Sequence, residues 1–259
     1  MLPTYDDKAI FENYKKMRQA EGCYNDFLEQ PAMAQLIGDV KGKHVLDIGC
    51  GWGDGAKRLA EAGAESVYAI DPSKNMLDQA RKTNSHPSIH WALIGVEIMD
   101  TIERKFDLAV SSLMLHYIKD LKGAFEKISR RLVDGGEFVF SMEHPIRTAN
   151  ITAQRWQLAD DGDDKPVSLL DAYIMDGYWK EGFRKVTWIG NSVSKNHRRM
   201  ETIINELIDA GFVIDRMLEP LPTTEMVKKF PGKMGKAKVR PQYIVIKCHK
   251  QPKENRSKA

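Results

Sequence analysis

Gly49, Gly51 and Gly53 stand at alternate positions directly after the apolar run 44–48, and a carboxylate, Asp71, ends the next apolar run. A turn built from glycines carries almost no side-chain bulk, so its backbone amides can approach a ligand closely. An acidic side chain at the end of the neighbouring strand accepts both hydroxyl protons of a ribose. Together they point to a nucleoside-containing ligand. The dinucleotide fingerprint would put a third glycine at position 54, where this chain has Asp54. A carboxylate at a helix start repels a pyrophosphate, and the Walker pattern is absent. The ligand should therefore carry ribose but need not carry phosphate. Three more side chains offer proton chemistry near carboxyl ends of central strands: His116, Glu143 and His144. His144 is the first choice of base because it follows a strand directly, although a lone histidine in such a position is more often structural than a base.

The glycine turn requires a strand before it and a helix after it. The run 44–48 reads as a buried strand, and Asp54, as N-cap, opens a helix over Ala56 to Ala62 that Gly63 closes. Further strands read over 66–70, 89–93, 106–111, 137–142, 212–217 and 243–247. The helices between them are capped by Ser73 and by Asp120, and a third spans about 200–210. This alternation predicts an α/β fold, a Rossmann-like, doubly wound, seven-stranded and mostly parallel sheet with helices on both faces. Residues 1–40 read as a helical cover, broken at Glu21-Gly22 and restarted at Pro31. From 144 to 198 the rhythm stops; aromatic residues and acidic turns mark an inserted lid without a long helical period. The core is thus 41–143 with 199–250.

The formal charge of +3 hides an asymmetry. Residues 226–259 hold eleven Lys/Arg and one acid, a net of +10, against −7 for the rest. That terminus reads as solvated and partly disordered, with 251–259 as a basic disordered tail, or alternatively as an anion-binding arm. Cys23, Cys50 and Cys248 are too widely spaced for a disulfide framework or a zinc site. No stretch reaches the length of a membrane span, and the first residues are too polar for a signal peptide, so a cytoplasmic protein is expected.

Four ordered motifs carry a family resemblance. Val45-Leu46-Asp47-Ile48-Gly49-Cys50-Gly51-Trp52-Gly53, then Ala69-Ile70-Asp71-Pro72-Ser73 with Met76-Leu77, then Phe106-Asp107-Leu108-Ala109-Val110-Ser111-Ser112, then Leu132-Val133-Asp134-Gly135-Gly136 resemble the successive motifs of class I S-adenosylmethionine-dependent methyltransferases. Residues 14–18, 24–26 and 143–145 resemble a bacterial subgroup of these enzymes whose acceptors are mostly unassigned. The resemblance implies S-adenosylmethionine as cofactor and S-adenosylhomocysteine as product. Carried over, Asp47 serves the amino acid end of the cofactor, and Gly49, Cys50 and Gly51 pass its methionine part. Asp71 holds the ribose, Pro72 and Met76 flank the adenine, Val96 and Glu97 recognise it, and Ser111 faces the cofactor. Tyr14 and Arg18 reach it from the covering helix, or else pack and face solvent. An acceptor pocket is expected from Tyr24, Tyr117, Tyr178, Trp179, Arg184 and His197, with His144 or His116 as base and no metal. The subgroup's Lys-Tyr-His-Arg pattern reads here as 195–198 with Asn196 in the tyrosine position.

The aromatic insertion favours a small-molecule acceptor methylated on oxygen or nitrogen, and Arg184, Lys195, His197 and Arg198 suit an anionic one. The alternatives are an RNA or protein acceptor engaged by the basic terminus, and a non-catalytic protein that binds the cofactor or a nucleoside. Nicotinamide chemistry is disfavoured by Asp54. Neither a nucleic-acid partner nor a membrane is expected, and a monomer or homodimer is.

Overall fold

Strands that are apolar at nearly every position are accounted for by a sheet covered on both faces. The computed structural model describes residues 4–19, 23–151, 156–157, 172–188 and 191–252. Its strands are β1 (His44–Ile48), β2 (Ser66–Asp71), β3 (Ile89–Leu93), β4 (Phe106–Ser111), β5 (Leu132–Glu143), β6 (Trp156–Gln157), β7 (Ala172–Tyr173), β8 (Gly182–Trp188), β9 (Asn191–His197), β10 (Phe212–Leu218) and β11 (Tyr243–Lys250). The α-helices are α1 (Lys8–Gln19), α2 (Gln30–Ile37), α3 (Asp54–Glu61), α4 (Lys74–Thr83), α5 (Leu121–Arg131), α6 (Pro145–Thr148), α7 (Met200–Asp209), α8 (Thr224–Lys229) and α9 (Pro231–Val239).

Seven strands form one sheet in the order β10-β11-β5-β4-β1-β2-β3. The pairs β3·β2, β2·β1, β1·β4 and β4·β5 are parallel; β11 runs antiparallel to both β5 and β10. Alternate residues of each strand enter opposite cores. Leu46, Ile48, Phe138 and Phe140 pack with Phe125 and Ile128 of α5 and Leu207 of α7; Val45, Leu108, Val110 and Val139 pack with Met33 of α2 and Leu59 of α3. Strand β1 lies between β2 and β4, so the chain winds away from it in both directions. The crevice at that switch point, outside the carboxyl ends of β1 and β4, is where such sheets bind ligands.

Four local expectations are corrected. Strand β5 begins at Leu132 rather than 137, taking in Asp134-Gly135-Gly136 with a register shift against β4 between Phe106 and Leu108. The cap of α3 is Gly53, whose left-handed backbone (φ 92°) turns the chain, and Asp54 is the first helical residue. The inserted segment contains a seven-residue hairpin, β8–β9, paired from Gly182↔His197 to Trp188↔Asn191. The basic terminus is folded up to residue 252: it forms α8 and α9, α9 buries Met234 and Ala237, and the Gln251 amide donates to the Gly211 carbonyl. The remaining tail, 253–259, lies outside the described residues, as do the acidic turns at 160–164. Among the described residues no helix is long and apolar enough to cross a membrane.

Candidate active site

A cavity of about 860 Å³ opens at the carboxyl ends of β1, β2, β4 and β5, beneath the N-terminal cover. One end is built by the glycine turn. Gly49 (φ 71°) and Gly51 (φ 55°) hold left-handed conformations that a side chain would strain. A Cβ on Gly49 would also collide with Met114, while one on Gly51 would meet nothing within 4 Å. The Gly51 amide donates to Asp71 Oδ2 (2.9 Å) and the Ser73 amide to Asp71 Oδ1 (2.8 Å). Asp71 is only 7% exposed, and burial raises its carboxyl to about 6 despite these two amides. Asp47, on β1, lines the same end; burial first, then the charge of Asp71, raises it to about 7. Among the described residues the Asp47 carboxylate has no hydrogen-bond partner.

The cover closes over this end. Tyr14 of α1 packs on Trp52 with ring centroids 5.3 Å apart, and Tyr5 packs edge-on against Tyr14. Arg18 lines the cavity too, but its guanidinium is paired with Asp26 (3.0 Å) and Asp54 (3.5 Å). Asp6 accepts from the Ser73 hydroxyl and the Asn75 amide, which fastens the chain's start to the first turn of α4 beside Asp71. Deeper in, Glu29 is fully buried and accepts from Ser112 (2.7 Å), Ser141 (2.6 Å) and Gln30 (2.6 Å), tying α2 to the ends of β4 and β5. Burial outweighs these bonds and raises its carboxyl.

Cys50 and Met76 line the cavity; the Cys50 thiol donates to the Gly51 carbonyl and is pushed well up by burial. Four residues anticipated beside the cofactor lie elsewhere. Ser111 is buried and donates to the Ile48 carbonyl (3.0 Å). Val96 belongs to the core, and Pro72 and Glu97 have exposed positions outside the cavity wall. The 3-10 turn Val96–Thr101 turns Val96 inward and leaves Glu97 in solvent.

At the other end stand His116, Tyr117, Glu143, Arg147, Lys195 and Tyr24. Glu143 Oε1 bridges Lys195 Nζ (2.7 Å) and Arg147 Nη2 (3.1 Å). Burial raises its carboxyl, but these cations more than offset that and hold it far below the usual carboxylate range. Burial, together with Lys195, Arg147 and Arg198, depresses His116 to about 3 against the opposing charge of Glu143. The ring accepts the Glu143 amide at Nδ1 (3.4 Å), so the neutral ring carries its proton on Nε2 and acts as a donor. Tyr24 donates to the Lys233 carbonyl (2.7 Å) in α9, and Tyr117 bonds Tyr5 (3.3 Å).

The remaining sequence candidates lie outside the large cavity. His144 is outside the cavity: Nδ1 caps α6 by accepting the Ile146 amide (3.1 Å), and Nε2 meets Glu219 (2.7 Å). His197 is fully buried between the Thr148 hydroxyl and the Tyr178 carbonyl (both 2.9 Å). The Tyr178 hydroxyl accepts the Met200 amide, Trp179 is 80% exposed, and Arg184 donates to carbonyls of Ala149, Gly177, Lys180 and Phe183. None of the three lines the large cavity. Arg147, Glu29 and Tyr243 were missed by sequence reasoning. Arg147 follows Glu143 at the i,i+4 spacing of an ion pair, a signal hidden by the strand-to-helix junction between them.

Comparisons with known proteins bear on the fold and the family. A family model described as a methyltransferase domain matches residues 45–136. A solved structure of an S-adenosylmethionine-dependent methyltransferase from Mesorhizobium loti superposes with a TM-score of 0.74 at 32% identity, covering 86% of this chain and 97% of that one. The chain belongs to the S-adenosylmethionine-dependent methyltransferases. A Haemophilus influenzae relative of this methyltransferase, described only as an uncharacterized protein, is 32% identical over 97% of this chain and 98% of its own. A tRNA U34 carboxymethyltransferase of Colwellia psychrerythraea is 33% identical over 77% of this chain and 62% of its own. The cofactor is S-adenosylmethionine, and the residues present fit it: the wall above Gly51 is open, Asp71 has lone pairs left beyond its two amides, and the Asp47 carboxylate is unpaired.

Proposed function

We propose that this methyltransferase methylates an oxygen or nitrogen of a small molecule held against His116, Tyr117, Glu143, Arg147 and Lys195. The observation that carries this reading is the chamber itself: it is a deep continuation of the cofactor cavity, roofed by α1 and α2 and walled by β9, of a size suited to a cofactor and a small acceptor. Asp71 accepts the ribose hydroxyls, Met76 packs on the adenine, the turn from Gly49 to Gly51 lies along the methionine part, and Asp47 takes its ammonium group. Tyr14 and Trp52 shield this end from water. Glu97, outside the wall, has no place in this assignment.

The cofactor supplies an electrophilic methyl on a sulfonium, so most of the acceleration comes from positioning an acceptor in a water-poor chamber. Among the described residues lining the acceptor end, neither His116 nor Glu143 readily takes a proton near neutral pH. His116 donates from Nε2, and Glu143 is held ionised by two cations. The acceptor atom is therefore one that attacks without prior deprotonation, a free amine or a carboxylate oxygen. Incubation with methyl-tritiated cofactor and a size-fractionated cell extract is expected to label the small-molecule fraction; label confined to RNA or protein contradicts this reading.

A pH dependence follows from the two raised carboxyls. With Asp71 at about 6 and Asp47 at about 7, the native ligand-free protein holds protons that the unfolded chain releases, so their contribution to stability is present below pH ~4 and lost as pH rises through these values. A bound ammonium and ribose favour the ionised forms, so binding releases protons. S-adenosylhomocysteine is expected to bind severalfold more weakly at pH 5.5 than at pH 8 by calorimetry. Equal affinity at both contradicts the assignment.

A further inference from the structure

We propose that a second, small polar cavity behind the Glu143–Arg147–Lys195 cluster is an oxyanion subsite for an anionic group of the methyl acceptor, a proposal that rests on the small-molecule reading above. This cavity is about 110 Å³, and Glu143, Arg147 and Lys195 form a wall that it shares with the large chamber. Its far side carries Arg184, Asn150 and Thr187. At roughly 30 Å³ per water, the volume suits a carboxylate or a phosphate group rather than a whole acceptor.

Charge decides the class of occupant. Three cations, Arg147, Lys195 and Arg184, face this space against one carboxylate, Glu143. Arg184 is 7% exposed and donates to backbone carbonyls, with Asp176 acting on it only as a neighbouring charge. Among the described residues its Nε is buried with no hydrogen-bond partner, and so is Asn150 Oδ1, which a bridging water or hydroxyl beside the anion would satisfy. With Nη1 and Nη2 committed to carbonyls, Nε–H is the donor of this buried guanidinium left for one oxygen of an anion, a charge-assisted bond that would offset part of the cost of desolvating the cation. An anionic group here would anchor the acceptor while its reacting atom points back past Glu143 toward the cofactor.

The test has a binding arm and a product arm. Calorimetry with inorganic phosphate on the protein loaded with S-adenosylhomocysteine is expected to show saturable one-site binding, weakened at least ~10-fold by Arg184→Gln and by Thr187→Glu. Thr187→Glu keeps the Arg184 carbonyl bonds and puts a carboxylate at the cavity mouth, so it remains informative if Arg184→Gln does not fold. S-adenosylhomocysteine affinity within about twofold of the wild type certifies either variant. Absence of saturable phosphate binding, or binding indifferent to both substitutions, overturns the subsite. In the product arm, labelled small molecules should be retained on an anion exchanger and diminish in Thr187→Glu. Neutral or cationic products overturn the acceptor's anion as occupant and leave a free anion as the source, with methyl transfer intact. Label only in macromolecules overturns the small-molecule reading instead.

Discussion

Asp71→Ala is expected to weaken S-adenosylhomocysteine binding more than tenfold, on the order of 1.4 kcal/mol or more, in a protein that still folds. The carboxylate at the end of β2 organises the site in two ways. It accepts the Gly51 and Ser73 amides, so it sets the spacing between the glycine turn and the start of α4. In the proposed complex its other lone pairs take the ribose hydroxyls, bonds to an ionised group and therefore stronger than neutral ones. Alanine removes both contributions; the Gly51 amide, in the cavity wall, can turn to water, whereas the buried Ser73 amide loses its acceptor. Asp71→Asn retains one acceptor oxygen and should fall between. Unchanged affinity in a folded Asp71→Ala variant refutes the ribose assignment.

Glu143→Ala should destabilise the protein by about 3–5 kcal/mol, a larger effect than loss of an exposed ion pair. Glu143 and Lys195 are both nearly buried, and Arg147 is mostly so. The single carboxylate oxygen that bridges them compensates two cations removed from water. Deleting it leaves both without that counter-charge, in contact with the Tyr117 and Tyr243 rings. In Glu143→Gln/Lys195→Met one of those cations leaves together with the carboxylate, so the loss should be well below the sum of the single changes. Urea unfolding measures each. A loss below about 1 kcal/mol for Glu143→Ala shows that the cluster is solvated rather than buried.

The sheet and the cofactor end were legible because their signals are local. Apolar runs ended by glycine or aspartate fix β1 and β2, the nearly unbroken apolar run 106–111 fixes β4, and glycines suit the left-handed positions 49 and 51. The acceptor end was not, because its side chains break the usual patterns. The buried face of the β8–β9 hairpin carries Arg184, Lys195 and His197 alongside Val193, so no apolar alternation marks the strands. Helix α9 is similarly disguised, since Gly232 and Gly235 take part in its buried face among lysines. His144 follows a strand as a catalytic base might, but Pro145 starts a helix there and turns the imidazole into its cap. Trp179, an obvious candidate by type, faces solvent, whereas Arg147 reaches the chamber from a four-residue helix with no periodicity to reveal it. Charge asymmetry also misled, since much of the basic terminus is folded into α8, α9 and β11.

A crystal structure with S-adenosylhomocysteine bound tests the account most directly. Both ribose hydroxyls are expected within hydrogen-bond distance of Asp71, the amino acid end beside Asp47 and the glycine turn, and the sulfur facing the chamber of His116, Glu143, Arg147 and Lys195. Ribose bound away from Asp71, or a sulfur facing any other wall, contradicts it.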